Sequence, residues 1–201
     1  MPISDDTDLV RRALSGEESA FAELVRLYQD VVARTVYRIT RRADWVEDLT
    51  QEVFLKAFEG LGRFRRRSGF STWLYRIAVN TSLDALRKAG TDRKVCETVF
   101  LDRSGLNWPL ISGENRDGEK IVLDREMQSQ VKAAIDELDP PTRTILVLRY
   151  LEELSVSEVA AVMQIPEGTA RSRLYYARLA LARLLKPYFK AAPVKTDHKE
   201  Q

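Results

Sequence analysis

The stretch SVSEVAAVMQIPEGTARSRLYYARLALARLLK, Ser155 to Lys186, holds two helical periods on either side of a short break. Ser155 and Glu158 have the S-x-x-E spacing of a capping box, which starts a short helix with Val159, Ala160 and Val162 turned inward. Ile165, Pro166, Glu167 and Gly168 interrupt it. In the next helix Ala170, Leu174, Ala177, Leu181 and Leu184 fall on one stripe, leaving Arg171, Ser172, Tyr175 and Arg178 opposite. From Thr169 to Lys190 there are six basic residues and no Asp or Glu. This is the pattern of a helix-turn-helix whose second helix enters the major groove of duplex DNA, where Arg contacts guanine in bidentate fashion and hydroxyls hold phosphates.

Upstream, Met127, Val131, Ala134, Ile135 and Leu138 repeat at helical spacing up to Asp139, an N-cap followed by Pro140 and Pro141, which suit a first turn. The helix begun there carries Ile145, Leu148 and Leu151. Between about Ala89 and Leu123 the period fails among Gly90, Gly105, Pro109, Gly113 and Gly118, the composition of a linker. Before it, a stripe from Phe21 through Leu24, Tyr28, Val32 and Val36 to Ile39 predicts a helix with Ser15 and Glu18 as its capping box. Further helices are expected from about Asp44 to Gly60 and from about Ser71 to Lys88. With no strand pattern and no repeat, the expected fold is all-α. Two small helical domains, 1–89 and 124–190, are joined by a flexible linker, 90–123, with a flexible tail at 191–201.

The 201 residues carry a net charge of only +2, so charge distribution rather than total charge must identify partners. Cys96 and His198 are the only residues of their types, which leaves no intramolecular disulfide and too few ligands for a Cys/His metal site. Asp5, Asp6 and Asp8 near the start do not suit a signal peptide, and no apolar run approaches a membrane span. A soluble cytoplasmic protein without metal, cofactor or membrane insertion is expected. Nothing in the sequence forms a catalytic constellation, so it is not expected to be an enzyme.

Charge is segregated in the N-terminal half. The helix from Asp44 carries Asp44, Glu47, Asp48, Glu52 and Glu59 against the single Lys56, with Asp48, Gln51 and Glu52 sharing a face. That face is either solvated or meets a partner. The loop after it reverses sign, with Arg63, Arg65, Arg66 and Arg67 among Phe64 and Phe70, ahead of a helix presenting Trp73, Arg76 and Asn80. Basic residues interleaved with rings suit single-stranded nucleic acid, where charge follows the backbone and rings take up unstacked bases. A flexible basic turn and a core role for Trp73 are the alternatives.

The motifs DLTQEVFLKAF (Asp48–Phe58) and FSTWLYRIAVN (Phe70–Asn80) resemble region 2 of the extracytoplasmic-function group (group 4) of bacterial RNA polymerase sigma factors, in the sigma-70 family. LDPPTRTILVLRYLEELSVSEVA (Leu138–Ala160) and IPEGTARSRLYYAR (Ile165–Arg178) resemble region 4. The resemblance implies a dissociable polymerase subunit that supplies promoter recognition, with catalysis left to the core enzyme. It assigns Asp48, Gln51 and Glu52 to the coiled coil of the largest core subunit. It assigns Arg65, Arg66, Arg67, Ser68, Phe70, Trp73, Arg76 and Asn80 to the −10 element, with the loop Arg65 to Phe70 and Asn80 behind it capturing an extruded base of the non-template strand. The −35 duplex falls to Thr169, Arg171, Ser172, Arg173, Tyr175, Tyr176 and Arg178, with Arg149 as a phosphate contact. Tyr176 stands where the family commonly has a basic residue, so the preferred −35 sequence is open. An anti-sigma factor is a further implied partner. The acids Glu97, Asp102, Glu114, Asp117 and Glu119 make the linker either a mimic of nucleic-acid charge or a solvated tether. A dimeric regulator binding duplex operators without polymerase is the competing reading, which the acidic face and single-strand loop do not need.

Overall fold

The computed structural model describes residues 6–64, 69–90 and 125–191, excluding the side chains of 125–130 and 187–191. Within them the chain is helical throughout, in the order α1 (Asp6–Leu14), α2 (Glu18–Thr40), α3 (Val46–Gly60), α4 (Phe70–Lys88), α5 (Arg125–Glu137), α6 (Pro140–Leu146), α7 (Val156–Met163) and α8 (Glu167–Ala191). No described helix is long and apolar enough to cross a membrane, and no metal-binding cluster occurs among the described residues.

α2, α3 and α4 bury the stripes their periods foretell: Leu24, Val32, Val36, Val53, Leu74 and Ala78 form the centre of the N-terminal unit. α1 was not anticipated. Its Val10 and Ala13 pack on this core, and the Tyr28 hydroxyl donates to Asp6 Oδ2 at 2.6 Å. The expected Ser15–Glu18 capping box does not form. The chain turns at Gly16 (φ +93°), so α2 begins later, with Glu17 as its N-cap. Ser15 Oγ instead donates to the Arg12 carbonyl at 2.7 Å, and Arg12 Nε donates to Glu17 Oε2 at 2.8 Å. That hydrogen bond holds the Glu17 carboxyl down at about 2.

In the C-terminal unit the Asp139 side chain accepts from Thr142 N at 3.0 Å, and two prolines open α6 as expected. α6 runs on into a π turn, Val147–Leu151, closed by Glu152 N donating to Val147 O at 3.0 Å. The Ser155–Glu158 capping box is present in both directions. α7 ends on Gln164, left-handed at φ 55°, which swings the chain into α8.

The two units do not stand apart. Ile39 of α2 and Val79, Leu83 and Leu86 of α4 share one apolar cluster with Leu138, Ile145, Leu148 and Val159. α7 lies directly on α4, and α6 on α2. Arg143, almost wholly buried, donates from Nη1 to Ile39 O (2.9 Å), from Nη2 to Asp136 O (2.7 Å) and Leu138 O (2.6 Å), and from Nε to Ile135 O (3.2 Å). One guanidinium thus caps the carbonyl ends of α2 and α5, where the helix dipoles are negative. The expected linker lies almost wholly outside the described residues.

Candidate nucleic-acid and partner interfaces

α3 places Asp48 and Gln51 on the open surface with Glu52 half-buried beside them. Glu47 and Asp48 sit in the first turn, where acid complements the helix dipole. Lys56 Nζ is drawn to Glu52 Oε1 (2.6 Å) and to Thr81 Oγ1 (3.1 Å), so it does not neutralise the exposed pair. One turn on, Leu55 and Phe58 are 58% and 50% exposed, neighbouring apolar side chains on the same surface. Phe58 meets Phe21 edge-on at 5.1 Å over a cavity of about 310 Å³ lined also by Leu14, Gly16 and Leu61. Acid and exposed apolar surface form one continuous strip along α3.

α4 divides the residues expected at the basic loop. Phe70 and Trp73 are buried among Tyr28 and Phe64, with ring centroids 5.5 Å (Tyr28–Phe70), 5.2 Å (Phe64–Trp73) and 5.6 Å (Phe70–Trp73) apart. Trp73 fits so closely over α3 that a Cβ on Gly60 would come within 3.3 Å of its ring. Neither ring faces solvent, because the N-terminal core needs their area more than the surface does. Arg76 is half-buried and Asn80 exposed, one turn apart on the same face. Arg65, Arg66, Arg67 and Ser68 lie outside the described residues.

α8 buries Ala170, Leu174 and Ala177, which brings Arg171, Tyr175 and Arg178 out together on the far side. Tyr175 and Tyr176 are exposed and meet edge-on at 5.2 Å. Arg171 pairs with Glu167 one turn back, the one acid at the head of this basic helix. Thr169, Ser172 and Arg173 are half-buried, and Ser172 Oγ donates to Gly168 O at 3.1 Å. Arg149, on the π turn, is half-buried with Nη1 donating to Leu154 O at 3.3 Å.

Glu152 was missed by the sequence reading. Its side chain is 5% exposed and accepts from Thr35 Oγ1 (3.0 Å) and Arg38 Nη1 (2.7 Å) at Oε1, and from the Tyr75 hydroxyl (3.0 Å) at Oε2. Burial, then the Glu152 charge, pushes the Tyr75 hydroxyl well above the usual tyrosine range. In the sequence Glu152 is one of two adjacent acids before a cap, with nothing to mark it as buried.

Residues 24–91 match the model of Sigma-70 region 2, and residues 128–181 that of Sigma-70, region 4. The chain is 36% identical to the RNA polymerase sigma-H factor of Pseudomonas aeruginosa, over 93% of its own length and 97% of that protein's. It belongs to the extracytoplasmic-function sigma factors of the sigma-70 family. The ECF RNA polymerase sigma-E factor of Escherichia coli K12 is 37% identical, over 90% of this chain and 95% of that one. Among solved structures, a sigma factor RpoE in complex with the anti-sigma factor NepR from Bartonella quintana superposes with a TM-score of 0.58 at 25% identity, covering 83% of this chain and 96% of that one. As a sigma factor, the chain directs promoter-specific transcription. α7 and the reading face of α8 fall within the residues matched to region 4, and the acidic strip, the ring cluster of Tyr28, Phe64, Phe70 and Trp73, and α4 within those matched to region 2.

Proposed function

We infer that the sigma factor divides its work between surfaces of opposite charge. The acidic strip of α3, Asp48, Gln51 and Glu52, docks on the coiled coil of the largest core subunit, and Leu55 and Phe58 add apolar contact. The basic loop Arg65–Ser68, with Arg76 and Asn80, takes the −10 element as single strand. Phe70 and Trp73 act from inside, by fixing the stem on which that loop stands. α8 reads the −35 duplex through Arg171, Tyr175, Tyr176 and Arg178, with Thr169, Ser172 and Arg173 at its edges and Arg149 holding a phosphate. An anti-sigma factor, as the RpoE–NepR complex illustrates for a relative, holds the chain inactive in the cytoplasm. The chain itself performs no catalysis.

The observation that carries this division is α8: three outward positions one turn apart hold two arginines and a tyrosine, in a helix with no acid after Glu167. Run-off transcription with core polymerase on a randomised promoter library tests it. Enrichment of paired −35 and −10 sequences is expected, together with weak binding of promoter DNA by the protein alone. Tight operator binding with no effect on core polymerase would remove this assignment in favour of a self-sufficient regulator.

A further inference from the structure

α8 carries an apolar patch inside its basic outward surface. Tyr175, Tyr176 and Leu179 are all exposed, whereas Leu174, Ala177 and Leu185 pack inward. Leu179 follows Tyr175 by four residues and Tyr176 by three, so the three side chains adjoin on one surface. The two rings meet edge-on at 5.2 Å with their planes 84° apart, each bracing the other. Arginines frame the patch. Arg171 lies one turn before Tyr175, Arg178 one turn after it and Arg183 one turn after Leu179, all exposed.

Scattered exposed leucines are ordinary on a protein surface, but adjoining apolar side chains make an area that a partner can use. The surrounding charge points to the partner. Arginines on either side, with no acid in the helix after Glu167, suit duplex DNA and disfavour a basic protein surface. In the major groove the base edges present hydrogen-bond donors and acceptors, and the C5-methyl of thymine is the apolar exception. Leu179 has only carbon to offer. Against adenine, guanine or cytosine it would strip water from a polar edge and return no hydrogen bond, whereas against a thymine methyl two apolar surfaces leave water together. Positions 175 to 179 span about 6 Å of helix at about 1.5 Å per residue, which matches about two base-pair steps of about 3.4 Å.

We propose that Tyr175, Tyr176 and Leu179 form a methyl-reading patch that selects thymine at two adjacent base pairs of the −35 duplex. The proposal rests on the assignment of α8 to that element and adds Leu179 as a specificity-determining residue. The arginines around the patch hold phosphate or guanine, while the patch itself discriminates by what it does not hydrogen-bond. A neutral ring at position 176 also leaves no cation there to favour guanine. Because the two rings brace each other before DNA arrives, little rotamer freedom is lost on binding.

The test uses the full chain with core polymerase and a promoter pool randomised across the −35 element. The pool is prepared in three versions: with thymine, with uracil in its place within that element, and with 5-methylcytosine in place of cytosine. Templates bound by the complete polymerase are recovered and sequenced. Thymine should be enriched at two adjacent base pairs of the first pool. In the uracil pool that enrichment should fall about fourfold per base pair, the equivalent of about 0.8 kcal/mol per buried carbon group at about 1.4 kcal/mol per factor of ten. In the third pool cytosine should become enriched at the same positions, because it then carries the methyl. Leu179→Ala should narrow the thymine-to-uracil difference to below about twofold, and Tyr176→Arg should replace thymine by guanine at one of the two positions. Both side chains are exposed, and unchanged thermal unfolding shows that the variants fold. Absence of thymine enrichment, equal enrichment of thymine and uracil, or a preference indifferent to Leu179→Ala would overturn the methyl-reading patch while leaving α8 as the −35 reader. No −35 enrichment in any pool, with binding indifferent to Arg178→Ala, would overturn the assignment of α8 and the patch with it. Variants that lose co-elution with core polymerase yet keep the unaltered chain's enrichment would give the patch to a protein surface instead.

Discussion

Replacing Arg143 tests how the C-terminal unit is held. Its guanidinium is buried and makes at least four hydrogen bonds, to the carbonyls of Ile39, Ile135, Asp136 and Leu138. Hydrogen bonds from a charged donor are worth about 1.5–3 kcal/mol each. Desolvation of the guanidinium offsets several kcal/mol of that sum. Arg143→Ala should therefore lose about 3–5 kcal/mol, the usual cost of stranding one side of a buried charged network. With a urea m-value of about 2.5 kcal/mol per molar, the midpoint should move by about 1.2–2 M. Equilibrium unfolding followed by far-ultraviolet circular dichroism reads this directly, and hydrogen exchange should show α5 and α6 opening first. Arg143→Met separates the causes, since it refills the volume but leaves the carbonyls unpaired. Lysine, which lacks the planar fork, should recover about half. A shift below about 0.4 M for alanine, or full recovery by methionine, would refute the carbonyl-capping explanation.

Asp48→Arg should weaken binding to core polymerase at least tenfold in a competition assay while leaving promoter preference intact, because like charge then meets a basic partner. Trp73→Ala should cost about 3–5 kcal/mol in thermal or urea unfolding, as a filled core position does; a loss under about 1 kcal/mol would return the ring to the surface. Arg178→Ala should cost about 1–3 kcal/mol on the preferred −35 sequence, measured by transcription from variant promoters; an equal loss on every sequence would make it a phosphate contact. Glu17 should titrate near 2 by carbon-detected NMR, against an ordinary value near 4.5. Because its folded-state pKa is depressed, the Arg12 contact helps the α1–α2 corner above about pH 4.5 and fades as pH falls toward 2.

Much of the molecule was legible because local physics decides it. The stripe Leu24, Tyr28, Val32 and Val36 can be buried only as a helix, and all four are buried. Ser155 and Glu158 satisfy each other three residues apart, so no distant contact is needed to predict the cap. The same spacing at Ser15 and Glu18 misled, because the choice was made by α1 and by Gly16, whose positive φ moved the helix start past Ser15. At the sites, exposure followed helical phase for Asp48, Gln51 and Arg178. For Trp73 the sequence left surface and core both open; its burial, and that of Phe70, is decided by Tyr28 and Phe64 arriving from elsewhere. Contacts between the units were illegible for the same reason. Glu152 meets Thr35 across 117 positions, and no periodicity reports on such a pair.

A net charge near zero conceals the organisation that matters here. The acids of α3 and the bases of α8 stand on separate elements, so each surface keeps a field of one sign at short range even though the chain sums to +2. Screening at physiological salt acts over about 8 Å, which is shorter than a helix of this kind is long, so each partner senses mainly its own patch. Exposed apolar side chains resolve the remaining problem of specificity on α3. Charge alone would draw Asp48 to any basic surface, whereas Leu55 and Phe58 reward only a partner that offers apolar area in register. Phe58→Ala should therefore leave long-range attraction intact and shorten residence. In stopped-flow binding to core polymerase, the dissociation rate should rise several-fold while the association rate and its salt dependence stay put. A change confined to the association rate would show that the ring guides encounter instead of holding the complex.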